Sequence, residues 1–179
     1  MATQSKKTAE IQASETQDAP SETANARDAA GQARQQARKV LDRLPILGPV
    51  VWLYAHSPFH KHAFMVDVEW MVMPPLVLDQ AKLYMKDSAP MAFASWAYLG
   101  DKAEKRLLSG ETRLAPTDWN SGNRLWLIDL VAPFGSAKDI IKDVRENLFP
   151  TQDIKYLVPD FEKKGVRPVV WRAFQPTTQ

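Results

Sequence analysis

Apolar and polar positions change character several times along the chain. Residues 1–25 are Ala, Thr, Ser, Gln, Glu and Lys with Ile11 as the lone aliphatic side chain, a composition that predicts disorder. From Ala26 to Leu44 the chain turns to Ala, Gln and Arg, strong helix formers, with Asn25 as a cap and a small apolar patch at Val40, Leu41 and Leu44. Gly48-Pro49 opens Val50–Ala55, read as a separate short helix that ends before Ser57-Pro58, because proline biases its predecessor away from the α region. Phe64, Val66, Val68, Trp70 and Val72 alternate with polar or flexible residues, which predicts a strand over 64–73 stopped by Pro74-Pro75. Val77–Met85 and Met91–Leu99, joined through Asp87-Ser88-Ala89-Pro90, predict an antiparallel hairpin.

Downstream, Asp101–Leu108 reads as a charged helix stopped by Gly110, and 114–123 as a polar loop. Leu125–Ala132 is apolar on both faces except at Asp129, the pattern of a central strand. Ser136 is placed to cap a helix over 137–148, where Ile140, Ile141, Val144 and Leu148 recur at helical spacing. Ile154–Val158 and Pro168–Phe174 read as closing strands. The expected organisation is an N-terminal extension over 1–43, disordered or partly helical, and an α/β domain over 44–175 with a mostly antiparallel sheet flanked by helices.

Composition removes several classes. The chain has 179 residues, 45% hydrophobic, and no apolar run as long as a membrane span. No secretory pattern follows Met1, and a net charge of +2 gives no reason to expect a nucleic-acid partner. There is no cysteine, so a thiol nucleophile and disulfides are absent, which suits the cytoplasm. Seven scattered glycines form no phosphate loop.

The candidate chemistry gathers around Ser57-Pro58-Phe59-His60. All three histidines, His56, His60 and His62, fall there, and histidine is the side chain suited to moving a proton near neutral pH. His56 and His60 stand four apart, but Pro58 between them and the lack of a third ligand at a clear spacing argue against a metal site. Ser57 is open to reading as a nucleophile or as a turn and capping residue. Asp129, a carboxylate among Trp126, Leu127, Ile128, Leu130 and Val131, must be paired, turned to the strand's other face, or at the strand's end. A histidine, an arginine or a lysine would serve as its partner. Arg124, Lys163, Lys164, Arg167 and Arg172 give a basic character that fits either a solvated surface or an acidic partner.

Four stretches in order, Ser57–His60, Ala94-Ser95-Trp96-Ala97-Tyr98-Leu99, Asp118-Trp119-Asn120-Ser121-Gly122-Asn123-Arg124, and Trp126–Gly135, resemble the toxin-activating lysine acyltransferases, the hemolysin-activating proteins that accompany RTX toxins in Gram-negative bacteria. The likeness runs from about Leu47 to Phe149 and more loosely to Arg172. It implies a fold similar to the GNAT acetyltransferases. It also implies transfer of a fatty acyl chain from acyl carrier protein to internal lysines of an RTX protoxin, without a permanently bound cofactor. Its members can dimerise. The family's essential histidine and aspartate match His60 and Asp129, and a serine of auxiliary importance matches Ser57. Arg124, Lys163, Lys164 and Arg167 become candidates for docking the acidic carrier. Met71 stands where many members have asparagine. Two other readings remain open at this point: an inactive relative that only binds the carrier or the toxin, and a GNAT-type enzyme using acyl-CoA. Pro133-Phe134-Gly135 offers few amides for the pyrophosphate of the latter.

Overall fold

The structure is a computed structural model and describes residues 19–160 and 165–173. The chain divides into two units, 1–38 and 39–179. The disorder expected over 1–25 lies outside the described residues as far as 18, and Lys163, Lys164 and Phe174 also fall outside them. From Ala19 the chain is helical, so Asn25 stands inside a helix and caps nothing.

Helix α1 spans Ala19–His56 and joins what the sequence presents as two helices. Pro45 and Pro49 lie within it. Each interior proline costs about 3 kcal/mol. Burial of Val50, Leu53 and Tyr54 against Val72, Leu76, Phe93 and Val131 supplies about 2 kcal/mol per side chain and offsets that cost. The two prolines are four apart, so the missing bonds fall on one side of the helix.

The strand expected over 64–73 does not form. Met65–Asp67 is a 3₁₀ turn, and helices α2 (Val68–Met71) and α3 (Met73–Val77) follow. The Asp67 carboxylate accepts the Phe64 N–H at 2.8 Å and the Trp70 indole N–H at 2.9 Å, which closes the turn. Pro74-Pro75 enters α3 at its first turn, where the missing donors have no helical partner to lose. Phe64 and Val66 are left 76% and 63% exposed, whereas Val72 is fully buried, so the alternation does not correspond to two faces.

Among the described residues the sheet has five strands in sequence order: β1 (Ala81–Lys86), β2 (Ala89–Leu99), β3 (Arg124–Val131), β4 (Ile154–Asp160) and β5 (Gly165–Trp171). β1–β2, β2–β3 and β4–β5 are antiparallel, and β3–β4 is parallel. The result is a mixed but mostly antiparallel sheet flanked by helices, consistent with a GNAT-like α/β fold. The β1–β2 turn places Asp87 and Ser88 at φ 48° and 68°, the pair of positive values that a two-residue hairpin requires.

Helix α4 (Asp101–Leu108) follows β2 and ends before Gly110 at φ 96°. Its Glu104 accepts the Trp126 indole at 3.0 Å and Lys155 Nζ at 2.7 Å, and pairs with Arg124 Nε at 3.1 Å, tying α4 to β3 and β4. Helix α5 (Ala137–Asp143) continues as a π-helical turn over Val144–Leu148, closed by the Phe149 N–H on the Val144 carbonyl at 3.0 Å. Ser136 precedes α5 as expected but forms no side-chain cap; its carbonyl accepts the Asp139 and Ile140 N–H groups instead.

β3 and β4 share a single register pair, Trp126 with Lys155. Beyond it the larger described cavity, about 430 Å³, is lined by residues of both strands.

Candidate active site

The site begins where α1 stops. Pro58 ends the helix at His56, and the Ser57 carbonyl accepts the His60 N–H at 3.1 Å and the Lys61 N–H at 3.0 Å. This tight turn brings the two side chains together, with Ser57 Oγ 2.8 Å from His60 Nδ1.

Asp129 arrives from β3 through a change of register. Ser95 pairs with Asp129 but Trp96 pairs with Leu127, so Ile128 is an extra residue in β3, a β-bulge. Leu125 and Leu127 pack with Ile140 and Val144; an unbroken strand would put Asp129 on that same face. The extra residue moves Asp129 and Val131 to the other face, where Val131 packs on Val50, Leu53 and Tyr54 of α1.

There the carboxylate meets the turn. His60 Nε2 lies 3.0 Å from Asp129 Oδ1, and the Tyr54 hydroxyl donates to Asp129 Oδ2 at 2.7 Å. The Tyr54 ring lies against the His60 ring at 4.7 Å between centroids. An ionised carboxylate accepts only, so in the neutral ring Nε2 carries the proton and Nδ1 accepts from the Ser57 hydroxyl. The four side chains form one line: Ser57, His60, Asp129, Tyr54. Burial pushes the Tyr54 phenol up, and the charge and hydrogen bond of Asp129 push it further, so Tyr54 is a donor at any ordinary pH. The side chains of His60 and Asp129 are 17% and 16% exposed, sheltered yet reachable.

Cavities meet at this pair. One of about 190 Å³ is lined by His60, Asp129, Trp70, Met71, Leu114 and Trp119. It shares Thr112, Ile128 and Asp129 with the 430 Å³ cavity, whose lining adds Leu107, Ile141, Leu157, Val166 and Trp171. Met71, the departure from the resembled pattern, thus adds an apolar wall beside His60. Trp119 is fully buried, and among the described residues its indole N–H has no partner.

The remaining expected residues lie apart from this line. His56 places Nδ1 2.8 Å from the Trp52 carbonyl and its ring against Trp52 and Phe134; His62 is exposed. Arg124 pairs with Asp101 and Glu104, Arg172 pairs with Asp153 at 2.5 Å, and Arg167 is exposed on β5. Among the described residues no three His, Cys, Asp or Glu side chains converge as a metal site, and no helix is long and apolar enough to cross a membrane. Tyr54, which was not among the candidates, completes the line by donating its hydroxyl to Asp129. Its signal was modest: a tyrosine in the apolar run Val50–Ala55 is buried, and a buried phenol finds an acceptor.

The model of the RTX toxin acyltransferase family matches residues 39–172. An uncharacterized protein of Synechocystis is 35% identical over 69% of this chain and 85% of its own length. The RTX-III toxin-activating lysine-acyltransferase of Actinobacillus pleuropneumoniae is 36% identical, over 66% of this chain and 68% of that protein. The protein-lysine myristoyltransferase of Escherichia coli is 38% identical, over 61% of this chain and 64% of that protein.

Proposed function

The chain belongs to the RTX toxin acyltransferase family, and from that premise we propose that it transfers a fatty acyl group from acyl carrier protein to the ε-amino group of internal lysines of an RTX protoxin, activating it in the cytoplasm. The observation that carries the reading is the contact of His60 Nε2 with Asp129 Oδ1 at 3.0 Å, between residues 69 positions apart, at the edge of two apolar cavities.

In this reading His60 is the general base and Asp129 stabilises the imidazolium. The lone pair of the neutral ring is Nδ1, which the Ser57 hydroxyl occupies. The lysine amine therefore displaces that hydroxyl or passes its proton through it. As the C–N bond forms and the C–S bond of the thioester breaks, the proton taken from the amine returns to the departing thiolate. The acyl chain lies in the 430 Å³ cavity between β3 and β4, a volume typical of small-molecule sites, and its carbonyl reaches Asp129 and His60 through the smaller cavity. Arg167 is exposed for the acidic carrier, whereas Arg124 would have to exchange Asp101 and Glu104 for the carrier's carboxylates.

The test is co-expression with an RTX protoxin, followed by mass spectrometry of the protoxin's lysines. Acylated lysines with the wild type and none with folded His60→Ala are expected. Unmodified lysines with the wild type would indicate a module that binds without turnover, and full activity of folded His60→Ala would remove the base. Purified acyl carrier protein and coenzyme A donors, compared side by side, decide the donor.

A further inference from the structure

We propose that Tyr54 is a positioning residue for the His60–Asp129 pair, holding the carboxylate through its hydroxyl and the imidazole through its ring. The inference deepens the acyl-transfer reading and rests on it for its kinetic arm alone.

The Tyr54 hydroxyl donates to Asp129 Oδ2 at 2.7 Å while His60 takes Oδ1 at 3.0 Å. With both oxygens bound, the carboxylate cannot turn about its own axis and present a different lone pair to the ring. Without the phenol, Oδ2 loses a charge-assisted bond in a site where water has little access. The phenol is fixed in turn. Tyr54 is 5% exposed and packs with Val50, Leu53, Val72, Leu76 and Val131, and its ring meets Phe93 edge-on at 6.3 Å. Its carbonyl accepts the Ser57 N–H at 3.1 Å, so the turn that carries Ser57 and His60 starts from the same residue. The His60 ring lies on the Tyr54 ring at 4.7 Å. One core residue thereby touches both members of a pair drawn from distant parts of the chain. The titratable groups seen touching Asp129 are His60, from the turn after α1, and Tyr54, from α1 itself. Tyr54 stays protonated beside the carboxylate, which makes it a holder of Asp129 and not a proton shuttle.

The experiment uses the full chain with ¹⁵N-labelled histidine and one substitution, Tyr54→Phe. The expected result is a folded variant whose His60 Nε2–H resonance broadens through faster exchange with water, and whose kcat for protoxin acylation falls about tenfold with KM for the protoxin unchanged. A folded variant with an unchanged His60 resonance and wild-type kcat overturns the proposal. A fall in thermal stability with the His60 resonance unchanged also overturns it, since that is what a purely structural tyrosine gives. If Tyr54→Phe fails to fold, 3-fluorotyrosine at position 54 retains the ring and strengthens the donor. A displaced His60 resonance then supports the proposal, and an unmoved one overturns it. The resonance is read without any acyl donor, so a wild type that shows the coupling but acylates nothing would sink the function and leave the positioning role standing.

Discussion

Leu127 and Leu130 face the same side of β3, packing with Ile140 and Val144, although a regular strand with its period of two would put them on opposite sides. Ile128 is the residue that resolves the conflict, because Ser95 and Trp96 of β2 pair with Asp129 and Leu127 and leave it without a partner. Deleting Ile128 closes the register and leaves every later residue of β3 on its present face. Deleting Leu130 instead turns Val131 out of the core beneath α1. The Ile128 deletion is therefore expected to fold with a loss of about 1–2 kcal/mol from the missing half-buried side chain. The Leu130 deletion is expected to lose cooperative unfolding altogether. Thermal melts of the two deletions check the pair, and equal damage in both would contradict the bulge.

Asp129→Asn keeps the size of the side chain and an oxygen for one neighbour but removes the charge that faces His60. Acyl transfer is expected to fall at least a hundredfold, the usual scale for an oriented acid–base group, with a far-UV spectrum like that of the wild type. Ser57→Ala removes the hydroxyl from Nδ1 and leaves the His60–Asp129 contact, so a smaller loss of about tenfold is expected. Single-turnover acylation of the protoxin ranks the three proteins, and a Ser57→Ala variant as inactive as Asp129→Asn would give the serine a direct part in the chemistry.

The reach of the sequence follows from which forces are local. The hairpin turn at Asp87-Ser88, helix α4 and the apolar strand carrying Asp129 are written in neighbouring residues and form where expected, although the first hairpin strand starts at Ala81 and Val77, expected within it, ends α3. Scarcity confines the histidines to one stretch, the family resemblance picks His60 from the three, and a carboxylate in an apolar strand demands a partner, which marks Asp129. The structure brings the two together. The strand expected over 64–73 failed because alternation over a short run carries no information about what lies on either side, and Asp67 closes a turn that the alternation does not register. The helix break expected at Gly48-Pro49 is absent for the same reason, since the burial that holds α1 together comes from residues such as Phe93 and Val131 far along the chain. The bulge at Ile128 and the contact of Tyr54 with Asp129 depend on strand pairing and helix docking, neither of which a single sequence displays.

The Asp118–Arg124 loop, one of the stretches that carried the family likeness, behaves as a clasp on the sheet. Asp118 accepts the Ala115 N–H at 2.8 Å and pairs with Arg106, and Ser121 Oγ accepts the Gly100 N–H at 2.9 Å. Gly122 runs so close to β2 that a Cβ there would sit 2.6 Å from the Leu99 carbonyl oxygen. Gly122→Ala is expected to cost about 2 kcal/mol through overpacking against backbone, read as a shift in the urea midpoint. An unshifted midpoint would mean that the loop lifts off the sheet at no cost.

Asp143 links α5 to β1 through Lys82 Nζ and the Tyr84 hydroxyl, each at 2.7 Å, and receives Asn147 at 2.8 Å. Burial alone would raise its carboxyl, but those hydrogen bonds and the Lys82 charge outweigh it and hold the group at about 2. A carboxyl lowered in the folded state stabilises the fold above its unfolded value of 3.8 and loses that contribution as pH falls toward 2. With solvent screening of a partly exposed pair, the contribution is on the order of 1 kcal/mol. Asp143→Asn is expected to lower stability at pH 6 by that amount and to flatten the fall between pH 4 and pH 2. Urea titrations at a series of pH values check it, and a variant with the wild-type pH slope would show that other carboxylates carry the acid sensitivity.

In the proposed reading, the cavity between β3 and β4 sets the acyl-chain length. Leu157 and Val166 line it from β4 and β5, opposite Ile128 of β3, and the opening toward Asp129 lies on the β3 side. A chain with its carbonyl at Asp129 would run from β3 toward these two residues, so filling the space there shortens the room for the tail without touching His60. Leu157→Trp is expected to shift donor preference toward shorter acyl chains, by about one order of magnitude in kcat/KM between long and medium chains, because each methylene denied burial forfeits about 0.8 kcal/mol. The rate with the shortest donor should stay near that of the wild type, since the groups that move the proton are unchanged. Competition between donors of different length, read by mass spectrometry of the modified lysine, measures the shift directly. An unchanged length preference in a folded Leu157→Trp variant would place the chain elsewhere, leaving the exposed apolar side chains of Phe64 and Met65, which line a cavity with His60, as the alternative bed.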